Sequence, residues 1–78
     1  MLKLGQVMQS LEKNGSVYIE DVYEDRAVRL VNLVNTIEAY IKRKGCCEIK
    51  SLYSTDTVQE TIHELHNREM TSEEYENF

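Results

Sequence analysis

Cys46, Cys47, His63 and His66 are the four side chains of this 78-residue chain that could ligate zinc. Their spacing does not suit the metal. Zinc-binding cysteines stand about two to four residues apart, and histidines three apart match neither a finger nor the helical pair of a zinc protease. Neighbours on a strand also point to opposite faces. The set therefore reads as one buried cysteine and two surface histidines. A cysteine nucleophile would need a base beside it, and no glycine-rich phosphate loop or nucleophile elbow accompanies these thiols. The sequence predicts no enzymatic activity, no metal and no cofactor, because no complete constellation is present.

Carboxylates are the other chemical resource. YIEDVYEDR, residues 18–26, holds Glu20, Asp21, Glu24 and Asp25 together with Tyr18 and Tyr23. Paired carboxylates can exchange protons, but here Asp21 with Glu24 three positions on has the form of a helix-capping box, where acids satisfy the positive end of the helix. Arg26 and Arg29 stand close enough in sequence to neutralise them. A second group, Asp56, Glu60 and Glu64, recurs every four residues, which on a helix spaces carboxylates about 6 Å apart along one stripe. Like charges at that spacing destabilise a helix, so the stripe is a candidate contact surface. DNA presents one phosphate per roughly 3.4 Å of axis on each strand, a pattern that regular carboxylates can imitate in part.

The balance of charge decides which partners fit. Fourteen acidic against nine basic side chains leave a net charge of −5. Residues 1–41 sum to −2, 42–50 to +3 and 51–78 to −6. Lys42, Arg43 and Lys44, with Lys50 near, form the single basic patch, and a nucleic-acid binder would carry a basic excess instead. Direct nucleic-acid binding is therefore disfavoured and a basic protein is the natural partner. Two adjacent cysteines form no disulfide framework, no stretch has the length of a membrane span, and the first residues lack the pattern of a signal peptide. A cytoplasmic location is expected.

The elements that would hold these groups follow from periodicity. Leu4, Val7, Met8 and Leu11 make one helical stripe, with Asn14-Gly15 as its stop, which predicts a helix over 2–13; a hairpin turning at Asn-Gly is the alternative. SVYIE alternates as a short strand. Ala27, Leu30, Val34, Ile37 and Ile41 alternate spacings of three and four, so the pattern predicts a long helix over 22–44, with acids in its first turn, Lys42 to Lys44 in its last and Gly45 beyond. CCEIKSLY reads as a second strand, and Thr57 with Glu60 opens a final helix over 57–69. Residues 71–78 read as a frayed acidic tail, leaving 1–70 as one domain.

The predicted fold is α+β in the order helix, strand, long helix, strand, helix. A parallel two-stranded sheet is marginal in water, so a homodimer pairing strands across a twofold axis is expected to complete it. In size, acidity, lack of a catalytic set and expected dimerisation the chain resembles small phage-encoded host-takeover proteins, including DNA mimics that inhibit DNA-binding proteins such as nucleoid proteins. That resemblance implies a non-enzymatic inhibitor of a basic, nucleic-acid-binding protein, acting in the host cytoplasm. Glu20, Asp21, Glu24, Asp25, Asp56, Glu60 and Glu64 are the candidate contacts. The alternative is a small dimeric DNA-binding regulator that uses the patch at 42–44.

Overall fold

The computed structural model describes residues 3–33, 35–54, 57, 58, 62 and 66–78. The chain is α+β. Helix α1 (Leu4–Asn14) is followed by strands β1 (Ser16–Asp21), β2 (Arg26–Asn32), β3 (Ile37–Arg43), β4 (Ile49–Tyr53) and β5 (Asn67–Glu69), then by a short helix α2 (Ser72–Glu76). The strands form one sheet in the order β4-β3-β2-β1-β5, and every pairing is antiparallel.

The first helix forms as its periodicity predicts. Val7 and Leu11 are buried, Leu4 and Met8 partly so, and Gly15 ends the helix at φ 81°, donating its N–H to the Leu11 carbonyl. Glycine accepts this left-handed geometry without the clash a Cβ would bring. Val17 and Ile19 then bury one face of β1, as their alternation requires.

The predicted helix over 22–44 is instead two strands and their turns. Val28 and Leu30 on β2 and Ile37 and Ala39 on β3 point into the same core as Val17 and Ile19. The ladders set Val28 against Ile41 and Leu30 against Ala39, so each strand obeys a period of two. The helical spacing arises because the β2–β3 turn shifts the phase between two strand patterns. Valine is the commonest apolar residue of the segment, and β-branched side chains fit a pleated sheet better than a helix. The basic residues foreseen as the helix end, Lys42 and Arg43, lie on β3, and Gly45 (φ 74°) serves the turn in which Cys46 N–H meets the Arg43 carbonyl.

Two further expectations change with it. The sheet has five antiparallel strands within one chain, so neither a parallel pair nor a second copy is needed to build it. The final helix does not reach residue 69, since Asn67–Glu69 forms β5 alongside β1. Thr57 and Val58 are helical, and Val58 and Ile62 join the main core.

That core lies between one face of the sheet and α1. On the opposite face a smaller cluster gathers Ala27, Met70 and Tyr75, with Tyr18 and Phe78 at its margin. Residues 71–78, read from the sequence as a tail, thus carry α2. Thr71 caps it, its hydroxyl accepting from Glu74 N–H while the Glu74 carboxylate accepts from Thr71 N–H. Among the described residues no helix is long and apolar enough to cross a membrane.

Candidate functional site

The cluster at 18–26 is a hairpin corner. β1 ends at Asp21, Val22 to Asp25 turn, and Arg26 opens β2. Asp25 takes φ 52°, a left-handed conformation that aspartate tolerates better than most residues. Asp21 and Arg26 are directly opposite in register, and Arg26 Nε donates to Asp21 Oδ2 at 3.1 Å. Asp21 is fully buried and Arg26 is 8% exposed, so the pair lies within the fold.

The other members are also held from within. Glu20 accepts from Arg68 across the β1–β5 ladder, and Asp25 Oδ1 lies 3.7 Å from Lys44 Nζ. The Glu24 carbonyl accepts from Arg43 at 2.8 Å, while Glu24 N–H reaches Asp21 Oδ1 at 3.4 Å. Three carboxylates and the Glu24 backbone therefore close the hairpin and tie it to β3, the turn after it and β5. The expected stripe of Asp56, Glu60 and Glu64 lies outside the described residues.

Besides Asp25, carboxylates that sequence reasoning passed over face solvent. Among the described residues Glu12, Glu69, Glu73 and Glu76 have no basic side chain within 4.0 Å. Glu12 and Glu69 line an open groove of about 740 Å³ between α1 and β5, together with Gln6, Gln9, Ser10, Lys13 and Asn14. Its lining of amides, a hydroxyl, two carboxylates and the Lys13 ammonium suits a polar partner. The signal for this groove was present in α1, whose polar face carries Gln6, Gln9 and Lys13, but β5 was needed to make its second wall.

The opposite sheet face holds a connected polar and aromatic array. Arg29 lies over the Tyr40 ring, 4.1 Å from its centre, and Nη2 is 3.7 Å from Glu48. Glu38 accepts from both Lys50, at 2.8 Å, and the Tyr40 hydroxyl. Lys50 first and Tyr40 second hold the Glu38 carboxyl below its ordinary range, and Glu38 in turn raises both partners. Tyr75 sits over the same face from α2. Its ring lies 5.3 Å from that of Tyr18, and its hydroxyl donates to Glu48 with the Tyr40 carbonyl 3.2 Å away. Burial, then Glu48, pushes the Tyr75 phenol well above its ordinary value.

The basic patch is engaged as well. Lys42 Nζ donates to the Tyr75 and Glu76 carbonyls, both at 2.9 Å, Arg43 to Glu24, and Lys44 pairs with Asp25. Cys46 and Cys47 are both free and exposed, so the expectation of one buried thiol does not hold. His66 stacks near Tyr23, at 5.2 Å between ring centres, and His63 lies outside the described residues. Among the described residues no three metal-ligating side chains converge. Comparison of the chain with protein-family models, with curated proteins and with solved structures finds no match.

Proposed function

We propose that this is a non-enzymatic acidic interaction protein that binds and inhibits a basic, nucleic-acid-binding protein, in the manner of a phage-encoded DNA mimic. The observation that carries the reading is the distribution of charge in three dimensions. Seven of the nine basic groups are drawn into internal contacts, among them Arg26 with Asp21, Arg68 with Glu20 and Glu74, and Lys42 with the end of α2, while Lys3 and Lys13 stay exposed. Glu12, Glu69, Glu73 and Glu76 are left to project a negative field, in a chain of net charge −5. Such a field attracts a basic surface and repels phosphate.

The reading shifts the contact surface from the hairpin acids to the α1–β5 groove and the outer side of α2. It also ranks the DNA-binding alternative lower, because Lys42, Arg43 and Lys44 each already hold an internal acceptor.

The test uses a panel of purified basic DNA-binding proteins with a labelled duplex. Addition of this chain should displace a member of the panel from the duplex, and the effect should fade as salt rises, because attraction between exposed charges is screened. Replacing Glu12, Glu69, Glu73 and Glu76 by glutamine should weaken it further. Retention of the duplex by this chain alone, or binding that is constant across the salt series, would overturn the proposal.

A further inference from the structure

We infer that the sheet face formed by Tyr18, Arg29, Tyr40 and Lys42 is a receptor for an acidic peptide carrying a tyrosine, and that residues 71–78 of the chain occupy it in cis. This face lies beneath α2, so its cis occupant also carries Glu73 and Glu76 of the acidic surface proposed above, whereas the α1–β5 groove is separate from it. Its ligand chemistry is legible because a ligand of that kind is already seated.

Three kinds of contact define the recognition. The Tyr75 side chain is 2% exposed, with its ring beside Tyr18 and the cations of Lys42 and Arg29 at 5.3 and 5.9 Å from its centre. Cations over an aromatic face are attracted by its quadrupole. The hydroxyl meets Glu48, an acceptor that phenylalanine could not use. Lys42 Nζ then binds two backbone carbonyls at the end of α2, where the helix dipole is negative, so this contact asks for a turn of helix whatever its side chains. Finally Arg68 Nη2 takes Glu74 at 3.2 Å, and Lys44 lies 5.5 Å from the Phe78 ring. Residues 71–78 contain three glutamates and no basic residue, against Arg29, Lys42, Lys44 and Arg68 on the receiving side.

Exchange with a partner requires that the segment can lift without unfolding the rest. Helix α2 has five residues, too few to persist alone in water. Its apolar contacts belong to the small cluster of Ala27, Met70 and Tyr75, distinct from the main core under α1. Elements with few buried contacts open at lower free energy than the global transition. A partner offering the same acidic, tyrosine-bearing turn can then take the place of α2.

The experiment uses the full chain and a fluorescein-labelled, amidated peptide of residues 71–78. In the Tyr75→Ala chain the cis ligand loses its anchor, and the labelled peptide should bind, read as fluorescence anisotropy. The wild-type chain should bind it at least about tenfold more weakly, because a tethered competitor acts at roughly millimolar effective concentration. Replacing tyrosine by alanine in the peptide should abolish binding, and Arg68→Ala added to Tyr75→Ala should weaken it roughly threefold, as expected of an exposed ion pair. A folded Tyr75→Ala chain that ignores the peptide, or equal binding by wild type, would overturn the inference. Should Tyr75→Ala not fold, hydrogen exchange on wild type and Glu74→Lys decides. The α2 amides must exchange before those of β2 and β3, and faster still in Glu74→Lys; exchange of α2 only with the whole sheet rejects it.

Discussion

Arg26 Nε meets Asp21 Oδ2 at 3.1 Å across the first pair of the β1–β2 ladder, with 10% of the arginine side chain and none of the aspartate reaching solvent. A buried pair differs from its surface counterparts. Removing one partner leaves the other charged and desolvated, which costs about 3–5 kcal/mol. Asp21→Ala and Arg26→Ala should each lower unfolding free energy by about that amount in urea titrations. The double change to leucine should recover most of it, since apolar replacements of a buried pair are often neutral. Lys44→Ala, which breaks the pair with Asp25 at 64% and 70% exposure, should alter stability by less than about 1 kcal/mol.

Gly15 allows a second prediction in which packing plays no part. A Cβ built there meets nothing within 4 Å, yet the residue holds φ 81°. Gly15→Ala should therefore destabilise by about 1 kcal/mol through backbone strain alone, and Gly15→Asn by less, because asparagine enters the left-handed region more readily. Thermal melts of the two variants distinguish this from a steric effect, which would rank the larger residue worse.

These two sites also mark what could be read from the chain. Gly15, the α1 stripe and the alternation of β1 were legible because each follows a local rule: one capping glycine, one helical period, one strand period. The hairpin β2–β3 was not. The turn Val22 to Asp25 before β2 and the residues joining β2 to β3 contain neither glycine nor proline, so the strongest local marks of a reversal were missing. Without that punctuation Leu30, Ile37 and Ile41 matched a helix, although Val28, Val31 and Ile37 favoured strand on propensity. The acids at 20–25 were correctly located at an element boundary, but the boundary closes a hairpin and starts no helix. The partner of Glu20, Arg68, lies 48 residues away, a separation no local pattern reports.

Core depth gives the third prediction. Leu11 is 1% exposed and Leu52 is 63% exposed. Leu11→Ala should cost about 2–5 kcal/mol, the transfer term plus the cavity left beneath α1. Leu52→Ala should remain within about 0.5 kcal/mol of wild type. Chemical denaturation of both, with near-UV circular dichroism to verify the fold, checks the contrast.

Tyr75 predicts the response to alkali. Its phenol is raised above the ordinary value of 10.0, by burial first and Glu48 second, whereas the unfolded chain loses the proton near that value. The contribution to stability is thus complete below pH 10.0 and declines as pH rises beyond it. Urea titrations across this range should show the decline in wild type and a smaller one in Tyr75→Phe.

Glu74 predicts the opposite limb. The Thr71 N–H first, then Arg68, holds its carboxyl below 4.5, so what it adds to the cap of α2 is present above that pH and is lost as acid protonates it. The Thr71 amide resonance should report a transition below 4.5 that vanishes in Glu74→Gln. A transition at or above 4.5 would mean that the capping contact does not form in solution.

The place of β5 has a consequence for synthesis. Strands β1 to β4 are neighbours in both sequence and space, so each can pair as it leaves the ribosome, and such local contacts form quickly. The β1–β5 ladder joins the first strand made to the last. Until Glu69 has emerged, β1 carries an unpaired flank and Glu20 lacks the arginine it will bind. Completion of the sheet therefore waits for β5 to emerge, and a ribosome stalled before residue 67 would display a nascent chain able to recruit another strand in place of its own.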